Sequence, residues 1–269
     1  MKAPVISVVI PAANEAQALP ECLARITGLP NEIIVVDAKS EDETRAVVET
    51  RGARLLIYPQ RHRARQMNHG AARAEGRILL FLHADTFLPH GALAKIAEAI
   101  DRGALGGAFS RRYRSRSLVL ALSSCLAALR NRLFGWYLGD QALFVRRDVF
   151  QQLGGYREIP IFEDLDFSRR LQSLGKTVTL TPPVRSSARR FAARGPFRTT
   201  WSDLRLTAKY LSGADPNDLA QAVCQARLDR LTLTAKGRLP GLLQVFAPAS
   251  CRVRHAMTGY CIAATRCLP

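Results

Sequence analysis

Apolar positions in the first hundred residues fall into short continuous runs. VISVVI (5–10), EIIVVD (32–37), ARLLIY (53–58) and RILLFL (77–82) are β-branched or leucine-rich and too short for helices. Between them, residues 15–28 carry Leu19, Cys22, Leu23 and Ile26 at helical spacing. Residues 41–51 read as a short helix, 62–75 as an Ala- and Arg-rich helix and 90–102 as a fourth helix. Strands apolar on both faces, alternating with helices, predict a parallel sheet covered on both sides. Such sheets bind ligands beyond the carboxyl ends of their strands. Asn14, Asp37 and Asp85 each follow the end of a run, so the fold should gather them at one rim.

The second half is less regular. GGAFSRRYR (106–114) and ALFVRR (142–147) have strand character, and TVTL (177–180) is a short strand. Helices are expected over 116–134, 163–174 and 197–212. Patterning weakens after Gly213, in the turn GADPND. The expected organisation is one α/β domain over 1–213, with halves 1–103 and 104–213, and a C-terminal extension over 214–269 of unknown role. The longest apolar stretch, Leu118–Leu129, falls short of the ~18 residues of a spanning helix. It has two readings: core packing, the simpler, or a bilayer interface beside Arg114, Arg116, Arg130 and Arg132. Lys2 and APVISVVIPAA outline a short secretion signal. Pro11, Asn14 and Glu15 interrupt it, and a first buried strand is the better reading.

Composition narrows the partners. The 269 residues carry a formal net charge of +17. That excess suits phosphate-bearing ligands, nucleic acid or an anionic membrane. Few aromatics interleave the basic runs, so nucleic acid is not expected. The six cysteines include no CxxC pair, which points to reduced thiols in a cytoplasmic protein. A peripheral membrane contact would place it at the inner membrane face. Cys251, His255, Cys261 and Cys267 lack the spacing of common zinc modules.

The first turn, PAANEA, is not GxGxxG, and no GxxxxGK[ST] or GxSxG occurs. What occurs instead is acids and amides at strand ends. Asp37 either accepts hydrogen bonds from a base or ribose or closes a cap. Arg65 and Asn68, three apart, face one way on a helix, toward a nucleotide or into solvent. Gly70 inside that helix costs ~1 kcal/mol against Ala and implies a close approach of backbone or ligand. His83 and Asp85, two apart on an extended segment, should point the same way. A cation on a diphosphate takes one or two carboxylates and completes its shell with phosphate and water, and Asp85 can supply one. Glu163, Asp164 and Asp166 open a helix, where acids suit the dipole, but three in four positions exceed what capping requires. One of them can serve as a general base. GDQALFVRR (139–147) and SSARRFAARG (186–195) add a turn and arginines suited to an anionic leaving group.

Taken together, SVVIPAANEA (7–16), EIIVVDAKSEDET (32–44), RARQMNHGAARAEG (63–76), LLFLHADT (79–86), GDQALFVRRDVF (139–150) and FEDLDFSRRL (162–171) resemble family 2 glycosyltransferases with the GT-A fold. LHADT, GDQ and SARR look most like a small bacterial subgroup encoded beside radical-SAM and selenium-associated proteins. The resemblance covers about residues 4–212. It implies a Rossmann-like, mostly parallel sheet with helices on both faces and a nucleotide diphosphate sugar over its first half. Pro11, Asn14, Glu15, Asp37, Lys39, Arg65, Asn68, His83 and Ala84 would line the donor, with Arg189 and Arg190 near its diphosphate. Asp85 would bind a divalent cation, Mn2+ or Mg2+. Asp164, beside Glu163, would be the general base of an inverting transfer. Gly139, Asp140 and Gln141 would face an acceptor, a lipid or a small molecule. His83 replaces the first acid of the family's DxD, and Lys39 a small or polar residue. The competing expectations are a nucleotidyltransferase acting on a sugar phosphate, and a basic membrane- or nucleic-acid-binding module.

Overall fold

The computed structural model describes residues 5–28, 31–192 and 194–226. They divide into two units between Thr207 and Ala208, and the first carries the sheet. In chain order the elements are β1 (Ile6–Ala12), α1 (Leu19–Ala24), β2 (Asn31–Asp37), α2 (Thr44–Thr50), β3 (Arg54–Ile57), α3 (Arg63–Ala71), β4 (Ile78–Phe81), β5 (Thr86–Phe87), α4 (Ala92–Asp101), β6 (Gly106–Tyr113), α5 (Leu118–Phe134), β7 (Leu143–Arg146), α6 (Arg147–Gln152), α7 (Glu163–Leu174), β8 (Thr177–Ser186), α8 (Arg189–Ala192) and α9 (Pro196–Leu211). A single 3-10 turn, Gly139–Gln141, precedes β7.

Among the described residues the strands form one eight-stranded sheet in the order β3, β2, β1, β4, β7, β6, β8, β5. β1 is parallel to β2 and β4, and β2 to β3. β7 is antiparallel to β4 and β6, β6 is parallel to β8, and β5 is antiparallel to β8. The expected α/β architecture is therefore present.

The unbroken apolar runs follow from two cores. Ile6, Val8, Ile10 and Ala12 of β1 face a cluster with Leu19 and Leu23 of α1 and Leu93 and Ile96 of α4. Val9 turns to the other face, with Met67 of α3 and Phe150, Tyr156 and Phe167. A strand buried on both faces has no reason to alternate. Gly70 of α3 sits where a Cβ would lie 2.5 Å from Val9 Cγ1. Side chains of β1 and β2, not a ligand, explain that glycine.

α5 departs from the simpler expectation of core packing. Its inward residues are Leu120, Ser124, Ala127 and Asn131, while Leu118, Leu122, Leu126 and Leu129 face outward. No helix among the described residues is long and apolar enough to cross a membrane. Cys22 and Cys125 are free thiols. Cys251, His255, Cys261 and Cys267 lie outside the described residues.

Helix propensity favours alanine over glycine by ~1 kcal/mol. At position 70 the clash with Val9 should reverse that sign. Gly70→Ala is expected to lower unfolding free energy by about 1–3 kcal/mol, read from denaturant midpoints at constant slope.

Candidate active site

The carboxyl ends of β1, β2 and β4 and the amino end of α3 meet at one rim, because a helix that follows a parallel strand starts where that strand ends. The 3-10 turn and the start of α7 close onto the same rim. The Asp164 carboxylate accepts two backbone N–H groups, from Leu165 at 2.7 Å and from Gly139 across the chain. Gly139 also leaves room for His83: a Cβ there would lie 2.6 Å from His83 Nε2 and 3.1 Å from Asp164 Oδ2. His83 and Asp164 thus both crowd against Gly139.

His83 and Asp85 do not share an extended segment. Thr86 N–H donates to the His83 carbonyl at 3.0 Å, so residues 83–86 form a turn. The two side chains consequently meet different neighbours. Asp85, a third exposed, lies 3.4 Å from Arg189 Nη2, which also binds Glu15 at 2.7 Å. Ala84 is buried beneath the turn. Burial lowers the His83 imidazole from its ordinary range, helped by the Arg63 cation and opposed by Asp85, Asp140 and Asp164.

Arg63, the first residue of α3, pairs with Glu163 at 2.8 Å. Glu163 is almost wholly enclosed, and its second oxygen has no partner among the described residues. Burial raises its carboxyl to about 7 despite the pull of Arg63. Arg63 was not singled out in the sequence. Its signal was position alone, since the first residue of a helix after a strand sits at the ligand rim.

Other expected site residues are enclosed, paired within the protein or exposed at the rim. Pro11 is buried within β1. Asp37 is fully enclosed at the end of β2, where Arg45 donates to it at 2.8 Å and the Ser40 amide and hydroxyl close its turn. Asn14, at positive φ, receives the Glu41 amide at 2.9 Å and so ties the first two rim loops together. Lys39, also at positive φ, is exposed beside them. Arg65 and Asn68 do face one way, onto residues 156–158: Arg65 pairs with Glu158, and Asn68 exchanges hydrogen bonds with the Tyr156 backbone at 2.8 and 2.9 Å. Arg190 is drawn to Asp203.

Behind the Gly139–Gln141 turn, Asp140 takes Arg111 at 2.6 Å and Tyr113 at 3.3 Å. Burial works to raise the Asp140 carboxyl, but Arg111, His83 and Arg190 together hold it below its ordinary value. Gln141 accepts from Arg130 and from the Leu138 amide, each at 2.9 Å, and donates to the Phe109 carbonyl. The turn is thus fixed from behind. Arg111 and Tyr113 were not singled out in the sequence; their signal was the alternation along the strand-like run 106–114.

No cluster of three or more His, Cys, Asp or Glu side chains among the described residues is arranged to hold a metal. Asp85, with only a long contact to Arg189, retains the lone pairs to bind a cation together with phosphate oxygens.

Between about 4.5 and 7 the enclosed Glu163 carboxyl keeps a proton that the unfolded chain has lost, so its contribution to stability falls as pH rises through that window. In Glu163→Gln this fall should be absent. Urea unfolding across the window is expected to show a flatter pH dependence than in the parent; an unchanged slope would assign the titration elsewhere.

The model of glycosyl transferase family 2 matches residues 7–154. The PGL/p-HBAD biosynthesis glycosyltransferase of Mycobacterium bovis is 33% identical over 190 residues, covering 66% of this chain and 74% of that protein. Staphylococcus aureus TarS 1–349, solved in complex with UDP-GlcNAc, superposes at TM-score 0.58 with 18% identity over 68% of this chain and 58% of its own. The mannosyltransferase PcManGT from Pyrobaculum calidifontis, in complex with GDP-Man and Mn2+, does so at 0.57 with 22% identity over 89% of this chain and 78% of its own. These two likenesses concern the fold, and the sequence match carries the family. This chain belongs to glycosyl transferase family 2 and is a glycosyltransferase.

Proposed function

We propose that the protein moves a sugar from a nucleoside diphosphate sugar to an acceptor hydroxyl, inverting the anomeric carbon, with Asp164 as general base. The observation that carries this reading is the seat of Asp164. Two backbone N–H groups, one from the Gly139 turn, aim its carboxylate into the rim beside His83. A base so held can take the acceptor proton as the oxygen attacks. The donors in the TarS and PcManGT complexes support a nucleotide sugar.

The donor would lie along the rim loops of β1 and β2, with Asn14 and Lys39 at its nucleotide and Asp37 holding the loop from within. Arg189 would turn from Glu15 and Asp85 to the diphosphate. Arg65 and Asn68 would act by anchoring residues 156–158 at the edge of the site. Asp85 would hold Mn2+ or Mg2+ jointly with the diphosphate, and the Mn2+ in PcManGT supports that assignment. Such a cation supplies charge neutralisation at the departing group. Arg63 would hold Glu163 in place behind Asp164 through their ion pair. The acceptor would approach the open side of Gly139, since the Asp140 and Gln141 side chains turn to Arg111 and Arg130.

Asp164→Asn is expected to leave donor affinity, measured by calorimetry, within about twofold and to lower turnover by ~10² or more. Nucleoside diphosphate release from a panel of UDP- and GDP-sugars reads the rate. Parental turnover in the variant would remove Asp164 from the role.

A further inference from the structure

α5 is apolar on both faces: its inner side mixes Leu120 and Ala127 with two polar residues, and its outer side carries most of its leucines. Ser124 and Asn131 are turned inward, 9% and 3% exposed, while Leu118, Leu122 and Leu133 stand 85%, 61% and 62% exposed. Leu126 and Leu129 continue the outer stripe, and Phe134 closes it, stacked on Trp136 with ring centroids 5.0 Å apart. Ser124 donates to the Leu120 carbonyl at 2.8 Å and the Asn131 side-chain oxygen receives Arg130 at 3.0 Å, while the Asn131 amide nitrogen has no partner among the described residues. An apolar stripe of this length is uncommon on a surface that stays in water.

Charge says what covers it. No Asp or Glu occurs between Asp101 and Asp140, whereas arginines recur on both sides of the helix. Arg116 precedes α5 and Arg132 lies in its last turn, both exposed and without an ion pair among the described residues. Leucines flanked by free arginines, with no acid and with an aromatic pair at one end, are the pattern of a helix lying in a lipid headgroup boundary. A protein partner or a second copy of the chain would be equally apolar, but nothing in its contact requires the exclusion of acids. We infer that the outer face of α5 docks on an anionic membrane surface, with the leucines in the acyl boundary and Arg116 and Arg132 at the headgroups.

The inference is independent of the sugar-transfer reading, and its test does not use activity. The full chain is sedimented with vesicles of phosphatidylcholine alone and of phosphatidylcholine with phosphatidylglycerol. Binding is expected to the anionic vesicles and to weaken with salt. Leu122→Glu with Leu126→Glu should reduce the partition coefficient by tenfold or more, on the order expected for two buried leucines replaced by charge. Leu126→Gln with Leu129→Gln, which keeps helix propensity, should act in the same direction and guards against misfolding, checked by an unchanged melting temperature. Arg116→Glu with Arg132→Glu should weaken binding to anionic vesicles only. Parental partitioning in the leucine variants, or no binding to anionic vesicles at all, would overturn the inference. So would a dimer in light scattering that the leucine changes dissociate, because the face would then be an interface between copies.

Discussion

The hydrogen bond from the Gly139 amide to the Asp164 carboxylate joins the parts of the site that are distant in sequence. Asp164 opens α7, and Gly139 opens the 3-10 turn that leads into β7. Because β7 pairs with β4, the turn sits over the end of β4, where His83 begins. Only a residue without a side chain leaves space there for the imidazole and the carboxylate together. The position of the Asp164 carboxylate thus depends on sheet register, on a glycine and on one amide.

Charge around this contact is arranged in pairs rather than as a diffuse basic field. Arg63 meets Glu163, Arg111 meets Asp140, and Arg189 bridges Glu15 and Asp85. The first two pairs each have an enclosed member, Glu163 and Arg111. The bridge at Arg189 is the more exposed of the three, and one of its contacts is long. On the proposed reading, it is the cation that would exchange a carboxylate for a diphosphate. The same arrangement explains how a chain of charge +17 keeps a rim rich in acids.

Much of the fold was legible because its strands are buried on both faces, which leaves continuous apolar runs such as 5–10 and 77–82. β5 and α6 escaped notice because two and six residues are too few for a period to emerge. The rim itself was legible in Asp85, His83 and Asp164, but side-chain direction was not. Period-two spacing put His83 and Asp85 on one side of a strand, whereas a turn at 83–86 separates them. Asp37 and Asn68 carried the chemistry of ligands, yet their partners are Arg45 and the Tyr156 backbone, which lie 8 and 88 positions away. Long-range partners of that kind leave no local pattern. In α5 the composition announced burial, and only the placement of Ser124 and Asn131 showed which side was inward.

The central claim is that the rim formed by Asp85, His83, Gly139 and Asp164 holds the donor diphosphate. Anomalous diffraction from crystals grown with a nucleoside diphosphate and manganese tests it most directly. The account predicts a manganese peak coordinated by the Asp85 carboxylate and the diphosphate, with Arg189 released from Glu15 toward the phosphates. A diphosphate bound away from the ends of β1 and β4, with Asp85 still paired to Arg189, would contradict it.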